Sequence, residues 1–166
     1  MVASIPNIAL YGFMGCGKST LGKRLADAFQ LSFVDLDRYI EKKAAKAIHT
    51  IFSEHGESYF RDLEHESLLN CCRETMPRVL SLGGGSLLRE DSHKILKEKY
   101  SIYTLMVPFA ILEKRLLLSL RPLRNDARNV FEARVEHYQS IGTPIFLSEE
   151  SVDVSYQKLV EVGCAA

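Results

Sequence analysis

The chain has 166 residues, 46% of them hydrophobic, enough for one compact domain with a core and too few for a comfortable second. Its 21 basic and 21 acidic side chains balance and no Lys/Arg run exceeds two residues, so the electrostatic footprint of a nucleic-acid binder is missing. No stretch approaches the roughly 20 apolar residues of a membrane span, and Met1–Asn7 holds no charged segment leading into an apolar one, so a soluble cytoplasmic protein is expected. Of the four cysteines, Cys16 lies in a glycine-rich loop, Cys71 and Cys72 are adjacent in a helical pattern and Cys164 is near the end, which favours free thiols over disulfides.

Strand-like and helix-like segments alternate, the signature of a parallel sheet in an α/β domain. Asn7–Tyr11 reads as the first strand. Residues 12–20, Gly-Phe-Met-Gly-Cys-Gly-Lys-Ser-Thr, follow it and contain the full Gly-x-x-x-x-Gly-Lys-Ser phosphate-binding pattern. Gly12, Gly15 and Gly17 let the backbone curl so that the N–H groups of Met14 to Thr20, Cys16 among them, face one anion. Lys18 adds a positive charge for the β- and γ-phosphates, Ser19 offers a hydroxyl to Mg²⁺, and the helix from Lys18 to Phe29 contributes its N-terminal dipole. A nucleoside triphosphate with its metal is therefore the expected ligand. A plain glycine-rich turn would not require every one of these positions to be filled.

Ser32–Val34 forms a short second strand, and Asp35 and Asp37 stand at its end, where ligands of open α/β sheets collect. Asp37 also suits a helix N-cap. Helices are expected over Leu36–Lys46, Thr50–His55 and Glu57–Glu74, a helical insert at about 36–76 suited to binding a second substrate. Within it Arg61 sits three residues before Glu64, a spacing that equally describes an ordinary surface ion pair. Arg78–Leu82 is the third strand. Gly83, Gly84 and Gly85 follow, three costly residues whose bare backbone suits either a turn or the close approach of a ligand. A helix at Asp91–Lys99, a strand at Ser101–Val107 and a helix opened by Pro108 and running to Leu120 come next. Residues 121–128, polar, Arg-rich and broken by Pro122, read as a mobile loop, a lid at about 120–129. Helix Val130–Ser140 carries Arg134, which could pair with Glu136 or Asp126. Strand Pro144–Leu147 and helix Val154–Val162 complete the chain.

Six features in order, from Gly12–Thr20 through Asp35-Leu36-Asp37, Phe60-Arg61 with Glu64, Gly83–Gly85 and Arg121-Pro122 to Arg134 with Tyr138, resemble the shikimate kinase family of the nucleoside-monophosphate-kinase fold. The resemblance implies a three-layer P-loop kinase fold: a five-stranded parallel sheet flanked by helices, a single domain with a lid, and usually a monomer. It also implies transfer of a phosphoryl group from ATP to the 3-hydroxyl of shikimate, on the route to chorismate and the aromatic amino acids. On that footing Arg61 and Arg134 grip the substrate carboxylate and Gly83 to Gly85 offer backbone N–H groups to the ring. Asp37 orients the attacking hydroxyl and is a candidate base, while Asp35 holds Mg²⁺ through a water. Lys18 and Arg121 face the charge of the γ-phosphoryl. Phe52 and Phe60 are either apolar walls for the ring or ordinary core aromatics.

Two departures accompany the resemblance. Arg134 follows Arg121 by only thirteen positions, a short lid, and Leu147-Ser148-Glu149-Glu150 lacks the arginine the family often stacks on the base, which turns attention to Arg115 or the lid. A gluconate kinase of the same fold is the nearest alternative, but it would not call for Asp37, Arg61, the glycines and Arg134 together. A nucleoside-monophosphate kinase would set a substrate phosphate against Asp35 and Asp37. A regulatory GTPase should carry Asn-Lys-x-Asp and Asp-x-x-Gly, which this chain lacks.

Overall fold

The apolar strands dictate the centre of the molecule. In β1 (Asn7–Tyr11) every residue after Asn7 is buried, the mark of a strand covered on both faces. A computed structural model describes residues 7–118 and 126–163. In it β1 pairs with β3 (Arg78–Ser81) on one side and β4 (Tyr100–Met106) on the other, and β2 (Ser32–Asp35) and β5 (Thr143–Phe146) form the edges. All pairings are parallel, in the order β2-β3-β1-β4-β5. Because β3 lies between β1 and β2, the segments that leave the C-terminal ends of these three strands emerge side by side. The phosphate loop, the aspartates and the glycine run are those three segments.

Helices cover both faces of this sheet in the manner of an α/β domain. They are α1 (Lys18–Phe29), α2 (Leu36–Ala44), α3 (Ile48–Arg73), α4 (Glu90–Lys97), α5 (Phe109–Leu117), α6 (Ala127–Ser140) and α7 (Val152–Gly163). Leu21, Leu25 and Ala26 give α1 its buried stripe, and Gly22 lets it approach the sheet: a Cβ there would lie 2.7 Å from the Phe33 ring.

Two boundaries differ instructively from the sequence reading. The helices expected on either side of Gly56 follow one another without a loop, because Gly56 alone, at φ +80° and ψ 175°, makes the kink. The polar stretch expected to run to Arg128 gives way to helix at Ala127. That residue is 2% exposed, and the Arg128 guanidinium rests over the Phe109 ring at 4.5 Å, tertiary contacts that extend α6 by three residues. The rest of the expected lid, residues 120–125 with Arg121, lies outside the described residues. Cys16, Cys71 and Cys72 are free thiols.

Candidate active site

The phosphate loop is shaped by its glycines. Gly12, Gly15 and Gly17 have φ of +136°, +79° and +102°, values that L side chains rarely adopt. Gly17 is the N-cap of α1 and gives it no side-chain cap, so the first-turn N–H groups are left for an external acceptor. Lys18 Nζ donates to the carbonyl oxygens of Gly12 at 2.8 Å and Phe13 at 2.9 Å, which pins the lysine across the loop. Cys16 is 1% exposed and turns its side chain inward, with Sγ 3.6 Å from Lys18 Nζ, so only its backbone can serve a ligand.

Ser19 Oγ donates to Asp35 Oδ2 at 2.7 Å. The other oxygen of the same carboxylate accepts from the Arg38 backbone N–H at 3.3 Å, so Asp35 and not Asp37 is the N-cap of α2. The cap is thereby removed as an explanation for Asp37, which lies in the first turn of α2 and borders the cleft.

Arg61 does make the helical ion pair its spacing allows, yet the pair is no surface ornament. Glu64 is 3% exposed; its Oε2 accepts from Arg61 Nη1 at 2.7 Å and its Oε1 from Ser86 Oγ at 2.6 Å. Glu57 takes Arg61 Nη2 at 3.1 Å. Burial works to lower the Arg61 pKa, and the neighbouring Glu64 and Glu57 carboxylates outweigh it, holding the group above its usual value and charged. The guanidinium is thus held in one orientation by a buried carboxylate.

The glycine run meets this cluster at contact distance. None of Gly83, Gly84 and Gly85 has a positive φ. What they supply is space: a Cβ on Gly83 would lie 2.8 Å from Asp37 Oδ1, and one on Gly85 would lie 2.6 Å from Arg61 Nη1. A cleft of about 460 Å³ brings Lys18, Ser19, Asp35, Asp37, Arg61 and Arg134 together, with Met14, Thr20 and all three glycines also on its walls. Phe60 is a core residue at 4% exposure that also borders the cleft, with the Phe52 ring 4.6 Å away. A second hollow beside Gly15, Gly17 and Thr20 is bordered by Arg115 and Glu150; Arg115 Nη1 donates to the Gly15 oxygen at 3.3 Å.

Ser86 as the partner of Glu64, and Tyr11, whose buried hydroxyl donates to the Gly84 oxygen at 3.3 Å, were not visible in the sequence. Ser86 follows the glycine run like any turn serine, and Tyr11 reads as one more apolar strand residue. The one available signal was a hydroxyl-bearing ring at the end of an otherwise aliphatic strand.

A family model described as shikimate kinase matches residues 14–162. Shikimate kinase of Dictyoglomus turgidum is 42% identical over 142 residues, 81% of this chain and 83% of that protein. That of Staphylococcus aureus strain JH9 is 43% identical over 122 residues, 74% of this chain and 68% of its own length. Among solved structures, shikimate kinase from Acinetobacter baumannii in complex with shikimate superposes with a TM-score of 0.85 at 27% identity, covering 98% of this chain and 95% of that one. A gluconokinase from Sinorhizobium meliloti reaches 0.64 at 13% identity over 97% and 92% of the two chains, a likeness of fold alone. By the extent of the family match and of these relatives, the chain belongs to the shikimate kinase family.

Proposed function

We propose that the chain is an ATP-dependent shikimate kinase, transferring the γ-phosphoryl of ATP to the 3-hydroxyl of shikimate to yield shikimate 3-phosphate and ADP. One observation carries this reading: a single cleft sets a complete phosphate loop opposite two arginines, one of them locked by a buried carboxylate. An acceptor with a carboxylate at one end and a hydroxyl at the other fits between them. Planar guanidiniums match a carboxylate by paired, charge-assisted hydrogen bonds, which a lysine would not do.

Residue roles follow from this geometry. The first-turn N–H groups of α1 and Lys18 hold the triphosphate. Arg61 and Arg134 hold the acid end, Gly84 and Gly85 offer backbone where side chains would obstruct the ring, and Asp37 accepts a hydrogen bond from the 3-hydroxyl. As that oxygen bonds to the γ-phosphorus, the bond from phosphorus to the β–γ bridging oxygen breaks, ADP departs, and the hydroxyl proton passes to Asp37. The transition state is loose, so orientation and charge neutralisation matter more than the strength of the base. Arg121, assigned from its sequence position alone, shares with Lys18 the task of neutralising the γ-phosphoryl oxygens.

Ser19 and Asp35 supply a hydroxyl and a carboxylate, hard oxygen donors of the kind Mg²⁺ uses while keeping its other positions for phosphate and water. When bound, Mg²⁺ would offset charge on the phosphate oxygens. The base belongs in the second hollow, where Arg115 stands in for the arginine absent from residues 147–150. Free thiols at Cys16, Cys71 and Cys72 fit the reducing cytoplasm.

A coupled ADP-release assay with ATP and Mg²⁺, offering shikimate, gluconate and nucleoside monophosphates in parallel, tests the assignment. Release with shikimate alone is expected. Release with gluconate and not shikimate would replace the acceptor while leaving the fold.

A further inference from the structure

Two buried phenols converge on one carbonyl oxygen beside the acceptor residues, and none of the roles above uses them. Tyr11, at the end of β1, has no exposed surface, and its hydroxyl donates to the Gly84 oxygen at 3.3 Å. Tyr138, on α6 and 1% exposed, donates to the same oxygen at 2.7 Å. Their rings meet edge to face with centroids 5.2 Å apart, so each ring fixes the other. Ala9, two positions earlier on the same face of β1, is fully buried as well. A hydroxyl there costs stability unless it is bonded, so Tyr11 is in place for more than volume.

The oxygen they hold belongs to the middle of the glycine run. In a trans peptide the C=O of one residue and the N–H of the next point in opposite directions. With the Gly84 C=O turned to the phenols, the Gly85 N–H points away from them, and Gly85 borders the cleft. Tyr138 also lies one helical turn after Arg134, whose side chain is within hydrogen-bonding reach of the Tyr138 hydroxyl. Burial above all raises the pKa of both phenols, that of Tyr138 to about 12, so each stays a donor at any ordinary pH.

We propose that Tyr11 and Tyr138 are positioning residues for the acceptor, clamping the Gly84 carbonyl so that the Gly85 N–H and the Arg134 guanidinium face the hydroxy acid together. This rests on the shikimate kinase reading. It gives the acceptor half of the site a dependence on the Tyr11 and Tyr138 hydroxyls that the nucleotide half does not share.

The test is Y11F, Y138F and the double variant, each assayed for KM of shikimate, KM of ATP and kcat, for shikimate affinity by calorimetry, and for thermal stability. Loss of the phenol's bond to the Gly84 oxygen should raise the KM and Kd for shikimate about fivefold in each single variant, and more in Y138F, which also loses the Arg134 contact, with KM for ATP and kcat within about twofold. The double variant should fall short of the product of the two, because both hydroxyls serve one oxygen. Unchanged shikimate KM in both single variants, with the parent enzyme active on shikimate, overturns the clamp and leaves the functional reading intact. Parallel rises in both KM values with a matching loss of thermal stability assign a merely structural role and also overturn it. If Y11F does not fold, Y138F decides the matter, since it removes the shorter bond. A parent enzyme inactive on shikimate overturns the functional reading and the clamp together.

Discussion

The phosphate loop and the glycine run at 83–85 each hold three glycines, and they need them for different reasons. In the loop the need is conformational, since Gly12, Gly15 and Gly17 all have positive φ. In the run the need is spatial, since no φ is positive there but added Cβ atoms would meet Asp37 and Arg61. One region shapes backbone to bind an anion; the other clears room for side chains that bind the partner substrate. Damage to the two regions should therefore separate cleanly into nucleotide and acceptor effects.

The largest expected effect is on the nucleotide side. Lys18→Met should lower kcat about 100- to 1,000-fold, the usual loss for a charge that meets a developing transition state, with shikimate affinity by calorimetry little changed. Arg121→Ala should likewise lower kcat more than it weakens shikimate binding, by about 100-fold; unchanged turnover in a steady-state assay would remove its assignment. A paired comparison sharpens the contrast further. Gly85→Ala should push the Arg61 guanidinium aside and raise KM for shikimate about tenfold with KM for ATP unchanged, whereas Gly15→Ala, straining a positive φ, should raise KM for ATP instead. If both variants move the same KM, the division between the regions fails.

The smallest effect concerns pH and includes the phenols that hold the glycine run. Tyr138 has a folded pKa raised from 10.0 to about 12, chiefly by burial, so its contribution to stability is complete below pH 10 and is lost as pH rises through 12. Tyr11 is shifted in the same direction. Chemical denaturation at a series of alkaline pH values should show stability falling above pH 10, with a shallower fall in Y138F.

Apart from what the family resemblance implied, the features legible in the sequence were those written in consecutive residues. The phosphate loop and the succession of strands and helices needed only local pattern, and the break at Gly56 was marked by the glycine itself. Arg61 shows the opposite case. Its spacing from Glu64 described a solvated pair equally well, and only the burial of Glu64 under Ser86 turned that pair into a device for aiming a guanidinium. The N-cap of α2 was ambiguous for a similar reason, because two aspartates flank the helix start and their propensities alone do not choose between them.

What the sequence by itself determined was the chemistry of the triphosphate site, since the φ values, the helix start and the lysine all lie within nine residues. The acceptor site was decided by tertiary structure. Asp37, Arg61, Gly83–Gly85 and Arg134 come from four separate segments, and they meet because parallel pairing in the order β2-β3-β1 brings the ends of three strands together while α3 and α6 pack beside them. Local propensity carries no information about which distant segments will share a wall; burial of the apolar strands in one sheet supplies it.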